Sequence, residues 1–152
     1  MSNFKVFAKS ILIPVIAGAV IGFITSSSMD YEMLKQPFLA PPGALFPIVW
    51  TALYILMGVS YGILESNNLV KQDVNSIYYT QLVVNLLWSI IFFVFKWRFL
   101  AFIWILLLII LVASMVKEFY RKNKIAGLIQ IPYLIWLFFA AYLNISIYVL
   151  NR

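Results

Sequence analysis

Five stretches of this chain carry no charged side chain: residues 10–29, 36–64, 74–95, 99–116 and 125–151. About 20 mostly apolar residues carry an α-helix across bilayer hydrocarbon. A spanning segment has no water to satisfy its backbone, so such runs must close their own hydrogen bonds as helices. Of 152 residues, 64% are hydrophobic and 11% charged, against roughly 25% charged in soluble domains. The expected fold is an all-α integral membrane protein, a single five-transmembrane-helix bundle over residues 1–152. The spacing predicts helices near 4–25, 45–64, 77–95, 100–117 and 126–150, with a loop over 26–44. Lys5 and Lys9 precede the first apolar run as in a signal peptide, but no small-residue cleavage site follows, so it reads as a retained span.

Five spans put the termini on opposite faces. Lys5, Lys9, Lys71, Lys117, Arg121, Lys122 and Lys124 fall on the N-terminal side, and Lys35, Lys96, Arg98 and Arg152 on the other. That excess predicts the N-terminus inside, and the membrane expected is that of a bacterial cell. Basic residues at helix ends suit membrane anchoring, so nucleic acid is not an expected partner. The links Glu65–Asn75 and Glu118–Lys124 are short, which leads one to expect consecutive helices to be antiparallel neighbours. The absence of cysteine and histidine removes disulfides, zinc sites, Ser-His and Cys-His dyads and the usual haem ligands. No metal site and no required cofactor are expected.

The loop leads into Gln36–Trp50, an uncharged segment with Pro37, Pro41, Pro42 and Pro47. Proline fixes φ and removes a backbone donor, so most of this segment is neither helix nor ordinary polar linker. It reads as a stiff lid, with Pro41, Pro42 and Gly43 at its centre, lying over an apolar cavity. Three helical faces point to that cavity. Trp50 and Tyr54 lie one turn apart, Gln81, Asn85 and Trp88 share a face, and so do Tyr133, Trp136, Ala140 and Asn144. Counted from the helix ends, Trp50, Trp88 and Asn144 lie roughly 7–11 Å below the lid-side surface and Trp136 roughly 21 Å, as part of a floor. Asparagine in a membrane helix also serves simply to bond neighbouring helices, at about 0.6 kcal/mol each. Gly18-x3-Gly22 and Gly58-x3-Gly62 permit close helix approach, within one bundle or between two copies.

The lid segment, Gln81-Leu-x-x-Asn85-x-x-Trp88 and Pro132-Tyr-x-x-Trp136-x-x-Phe-Ala140-x-x-Leu-Asn144 resemble the translocator-protein family (TspO/MBR, tryptophan-rich sensory protein) across essentially the whole chain. The resemblance implies a five-helix bundle whose cavity, capped by the first loop, binds porphyrins, sterols and drug-like benzodiazepine-type ligands, often in a homodimer. Trp50 and Trp136 match cavity tryptophans linked in bacterial members to porphyrin degradation, and Asn85, Trp88, Ala140 and Asn144 match other cavity positions. The chain departs from the pattern at Leu39 and Ala44, where the family usually has tryptophan, and at Trp104, where an acidic residue is expected.

The leading expectation is a receptor or sensor for a porphyrin-type or other flat hydrophobic ligand (a tetrapyrrole or sterol). The ligand-binding set is Trp50, Tyr54, Asn85, Trp88, Tyr133, Trp136, Ala140 and Asn144, and porphyrin propionates would look for cations among Lys35, Lys96 and Arg98. Without histidine or cysteine, metal-free porphyrin should bind at least as well as haem. One alternative is a light- or oxygen-dependent porphyrin-degrading enzyme using Trp50 and Trp136, with no other catalytic set in view. The other is a transport or accessory role, for which the spans offer no ion-coupling group.

Overall fold

The computed structural model describes residues 3–152 and is entirely helical among them, without strands; Met1 and Ser2, the start of the expected domain, lie outside the described residues. Five helical segments are long and apolar enough to cross a membrane. They are α1 (Asn3–Thr25), α2 (Leu45–Ser66), α3 (Gln72–Ser89, continued by a π-helical turn Ile90–Val94), α4 (Arg98–Lys122), and a fifth span divided into α5 (Lys124–Ile129) and α6 (Ile131–Asn151).

Three boundaries differ from those hydropathy suggests. α3 starts at Gln72 rather than near Ile77, and α4 runs on past Lys117 to Lys122. In both, the helix continues into polar sequence whose side chains support it: Asp73 accepts the Val74 N–H (2.8 Å) and meets Lys122 (3.3 Å), while Arg121 reaches Glu118 (3.2 Å). The fifth span breaks at Gln130 because Pro132 belongs in the first turn of a helix, where its missing N–H is not needed. Two helix ends turn sharply on a residue in the left-handed region, Asn68 (φ 58°) and Lys96 (φ 57°). Each turn is closed by a long backbone bond, Leu69 N–H to Leu64 C=O (2.9 Å) and Trp97 N–H to Ile91 C=O (3.1 Å).

Around the bundle the helices run α1, α2, α5/α6, α4, α3 and back to α1. The expectation that consecutive helices are neighbours therefore fails for α2 and α3, which make little direct backbone contact. Tyrosines hold them apart: the Tyr61 and Tyr78 rings stack at 4.6 Å and the Tyr61 hydroxyl bonds Asn75. A short link limits where α3 begins, but the bulk between the helices decides how close they come. α1 and α2 do pack closely, and both Gly58 and Gly62 face α1 within the bundle.

The half of the bundle nearer the N-terminus is solid. Met57, Tyr78, Met115, Phe119, Tyr133 and Leu137 are fully buried there.

Candidate functional site

The other half is hollow. A cavity of about 690 Å³ lies among α1, α2, α3 and α6, under Asp30–Met33 of the first loop, a size typical of small-molecule sites. Trp50, Tyr54, Asn85, Trp88, Trp136, Ala140, Asn144 and Gly43 line it. Tyr133, Pro41 and Pro42 do not. Tyr133 is fully buried behind the wall, and Pro41 turns its carbonyl to the Tyr31 hydroxyl (2.7 Å).

The floor is a chain of hydrogen bonds. The Tyr54 hydroxyl donates to Asn85 Oδ1 (2.6 Å), Asn85 Nδ2 donates to the Tyr133 hydroxyl (2.7 Å), and that hydroxyl donates to Gln81 Oε1 (2.8 Å). Thus α2, α3 and α6 are tied together where the solid half begins, and Tyr133 supports the cavity from behind, through Asn85 and by an edge contact with the Trp50 ring (6.4 Å). Higher up, the Trp88 indole N–H donates to Asn144 Oδ1 (2.9 Å), and Asn144 Nδ2 to the Arg98 carbonyl (2.8 Å).

Trp136 lies as far below the end of α6 as expected, but it stands level with Trp50 rather than beneath it as a floor. Its ring meets Trp50 edge-on at 6.4 Å and Phe46, in the first turn of α2, at 6.0 Å. Depths counted from helix ends compare only if those ends are level, and they are not. Lys35 pairs through its backbone with the Asn151 amide (2.9 Å both ways), and Phe38 C=O accepts from the Tyr142 hydroxyl (2.6 Å). The proline-rich segment therefore descends along α6 as a strap. Roughly 22 Å of helix axis separates Asn151 from Trp136, so α2 begins far below the end of α6.

The cap is latched by charge. Asp30 takes Arg98 on both oxygens (2.6 and 2.8 Å) and Lys96 at 3.3 Å, while the Arg98 guanidinium lies 4.9 Å over the Phe92 ring. Burial alone would raise the Asp30 pKa, but the Arg98 hydrogen bond and charge, followed by those of Lys96, bring it below the ordinary carboxylate value. The latch is therefore complete at neutral pH and is lost only as pH falls through that lowered value. Burial, and after it the Glu32 charge, push the Tyr31 phenol up, so it stays protonated to hold Pro41. Asp30→Asn should speed hydrogen exchange of the cap amides about tenfold at pH 7, the loss of about 1–2 kcal/mol of charged hydrogen bonding. Unchanged exchange would mean that the strap alone holds the cap.

The cavity also includes residues that the sequence reading passed over. Gly18, Ala19 and Gly22 make its α1 wall, Phe46 and Phe92 add rings, and Asp30 and Glu32 sit under the cap. The Gly18-x3-Gly22 signal was available but divides in two: a Cβ on Gly18 would strike the Tyr54 ring at 2.4 Å, whereas one on Gly22 would meet nothing within 4 Å. Trp104, at the position where an acid was expected, faces α3 and donates its indole N–H to Val84 C=O (2.8 Å), away from the cavity.

A five-span bundle, solid in one half and hollow under a latched first loop in the other, defines a membrane protein built around a small-molecule cavity. Residues 10–150 match the TspO/MBR family, and the chain belongs to that family. It is 36% identical to the tryptophan-rich protein TspO of Archaeoglobus fulgidus, with 98% of this chain and 99% of that protein aligned. It is 35% identical to protein CrtK of Rhodobacter capsulatus (89% and 86% aligned) and 32% identical to the translocator protein homolog of Schizosaccharomyces pombe (98% of each).

Proposed function

We propose that this protein is a membrane receptor or sensor that binds a flat hydrophobic ligand, a tetrapyrrole or a sterol, in the capped cavity. The observation that supports this reading is the arrangement of indoles around one hollow: Trp50 and Trp136 in edge contact at 6.4 Å, with Trp88 from α3 on the same cavity. Aromatic contacts of this kind contribute about 0.5–1.5 kcal/mol each, so three add about 1.5–4.5 kcal/mol to the area burial that supplies the rest of the roughly 8 kcal/mol of micromolar binding. The proposal includes orientation: the larger share of Lys and Arg on the N-terminal face favours that face in the cytoplasm.

Titration in nanodiscs with protoporphyrin IX, its dimethyl ester and a sterol, read by tryptophan fluorescence, tests the reading. Gly22 lines the cavity and a Cβ there would meet nothing within 4 Å, so Gly22→Leu fills cavity space. It should raise the Kd of whichever probe binds by about tenfold, or roughly 1.4 kcal/mol, without lowering Tm. The reading fails if no probe changes the fluorescence, or if Gly22→Leu leaves the affinity as it was.

A second reading draws on the same contact. Two oxidisable indoles against a bound ring suit light-dependent porphyrin breakdown. Bleaching of protoporphyrin at the same rate with Trp50→Phe and Trp136→Phe would remove it.

A further inference from the structure

We infer that the capped end of the cavity selects ligands by charge, accepting flat hydrophobic molecules whose polar end is neutral or cationic and disfavouring carboxylates, with Glu32 as the residue that sets this preference. The inference rests on the reading of the cavity as a ligand site and narrows the class of ligand it takes.

No lysine or arginine contributes to the cavity wall; its charged members are Asp30 and Glu32, both under the cap. The cations that a carboxylate would need are present on that side of the membrane, but none lines the cavity and two are already paired with an acid. Arg98 and Lys96 are both turned to Asp30, and Lys35 lies outside the wall, its backbone pinned to Asn151. Glu32 differs from Asp30. Its Oε1 accepts the Gly43 N–H at 2.9 Å, and no cation pairs with it among the described residues, so its charge is uncompensated at the cavity mouth. Of the neutral donors in the wall, the Trp88 N–H is committed to Asn144 and the Asn85 amide to Tyr133, while the Trp136 indole N–H, buried low in the cavity, has no partner among the described residues. A carboxylate under the cap would exchange its hydration for the like charge of Glu32, and the single neutral N–H of Trp136, away from the cap, does not replace that hydration. An ammonium or a neutral hydrogen-bond donor would instead find an acceptor.

The opposite outcome has a definite route. A ligand carboxylate could displace Asp30 from Arg98 and Lys96 and so gain two cations, which would make anionic ligands the preferred ones.

Three probes that share one ring separate these cases: protoporphyrin IX, its dimethyl ester, and the analogue whose two propionates are extended as amides with alkylammonium ends. Kd is read by tryptophan quenching in nanodiscs and corrected for partition into empty nanodiscs. The diacid is expected to bind about tenfold more weakly than the ammonium analogue, the scale of two like charges roughly 12 Å apart at an effective dielectric near 20. Glu32→Gln keeps an acceptor for the Gly43 N–H and removes the charge, and should narrow the diacid-to-ammonium ratio at least threefold. A diacid that binds as well as or better than the ammonium analogue overturns the inference, as does a ratio that Glu32→Gln leaves in place. If none of the three quenches beyond empty nanodiscs, the cavity reading itself falls and takes the inference with it. If the ester binds and charge makes no difference, the inference alone is lost.

Discussion

Alanine at Gly58 is expected to destabilise the protein by about 2–4 kcal/mol and to lift α1 from α2, while alanine at Gly22 leaves stability equal or slightly higher. A Cβ on Gly58 would lie 2.4 Å from Ile11 Cα and 2.6 Å from the Ser10 carbonyl oxygen. Both are backbone atoms, so no side-chain rotation relieves the clash. The Ser10 carbonyl is there for a reason: Pro14, four residues on, has no N–H to offer it. Glycine lets the α2 backbone lie against that freed carbonyl, where a Cβ would not fit. Separating the helices loses this contact, adds overpacking strain of about 1–3 kcal/mol and leaves a polar group facing hydrocarbon. α1 has little other hold, since only 11% of its apolar window is buried. Thermal unfolding in detergent should show Tm lowered by about 5–15 °C for Gly58→Ala. A Tm within about a degree of the parent would mean that α1 is held elsewhere.

The contrast between these two glycines marks how far the sequence could be read. Charge-free runs identify spans because hydrocarbon tolerates neither charge nor open backbone, and five apolar helices stand where five runs were found. The ends of those helices are another matter. Hydropathy registers hydrocarbon, and α3 and α4 continue beyond it on polar and charged side chains. Periodicity likewise brought Trp50, Tyr54, Asn85, Trp88, Trp136, Ala140 and Asn144 to one hollow, because residues three and four apart share a helical face. It could not separate Tyr133 from them, since the wall and the layer behind it lie on the same face of α6. Nor could it give relative height, which depends on how far the proline strap lowers α2 along α6. The charges under the cap were the least legible part. Lys96 and Arg98 could be counted in the sequence, but their engagement with Asp30, some 66 and 68 positions away, is a property of the folded loop.

Asn85→Leu is the other substitution with a large expected effect, about 2–3 kcal/mol, and its size carries information about the cavity. Asn85 is 4% exposed and is the shared partner of Tyr54 and Tyr133. Leucine of similar volume leaves both hydroxyls, but their positions differ. Tyr133 still donates to Gln81 Oε1 at 2.8 Å, whereas the Tyr54 proton loses its only acceptor. If the cavity floor is dry, that donor is stranded in an apolar site, and Tyr54→Phe added to Asn85→Leu should recover about 1–2 kcal/mol, because removing both partners of a buried hydrogen bond is close to neutral. If water fills the floor, Tyr54 turns to it. Asn85→Leu then costs nearer the 0.6 kcal/mol typical of a membrane hydrogen bond, and the second substitution recovers nothing. Thermal unfolding of the parent, both single variants and the double variant decides between these outcomes. A recovery above about 1 kcal/mol identifies a floor that excludes water. That is the condition under which a flat apolar ligand gains most from entering, since the rings then meet the ligand without ordered water to displace.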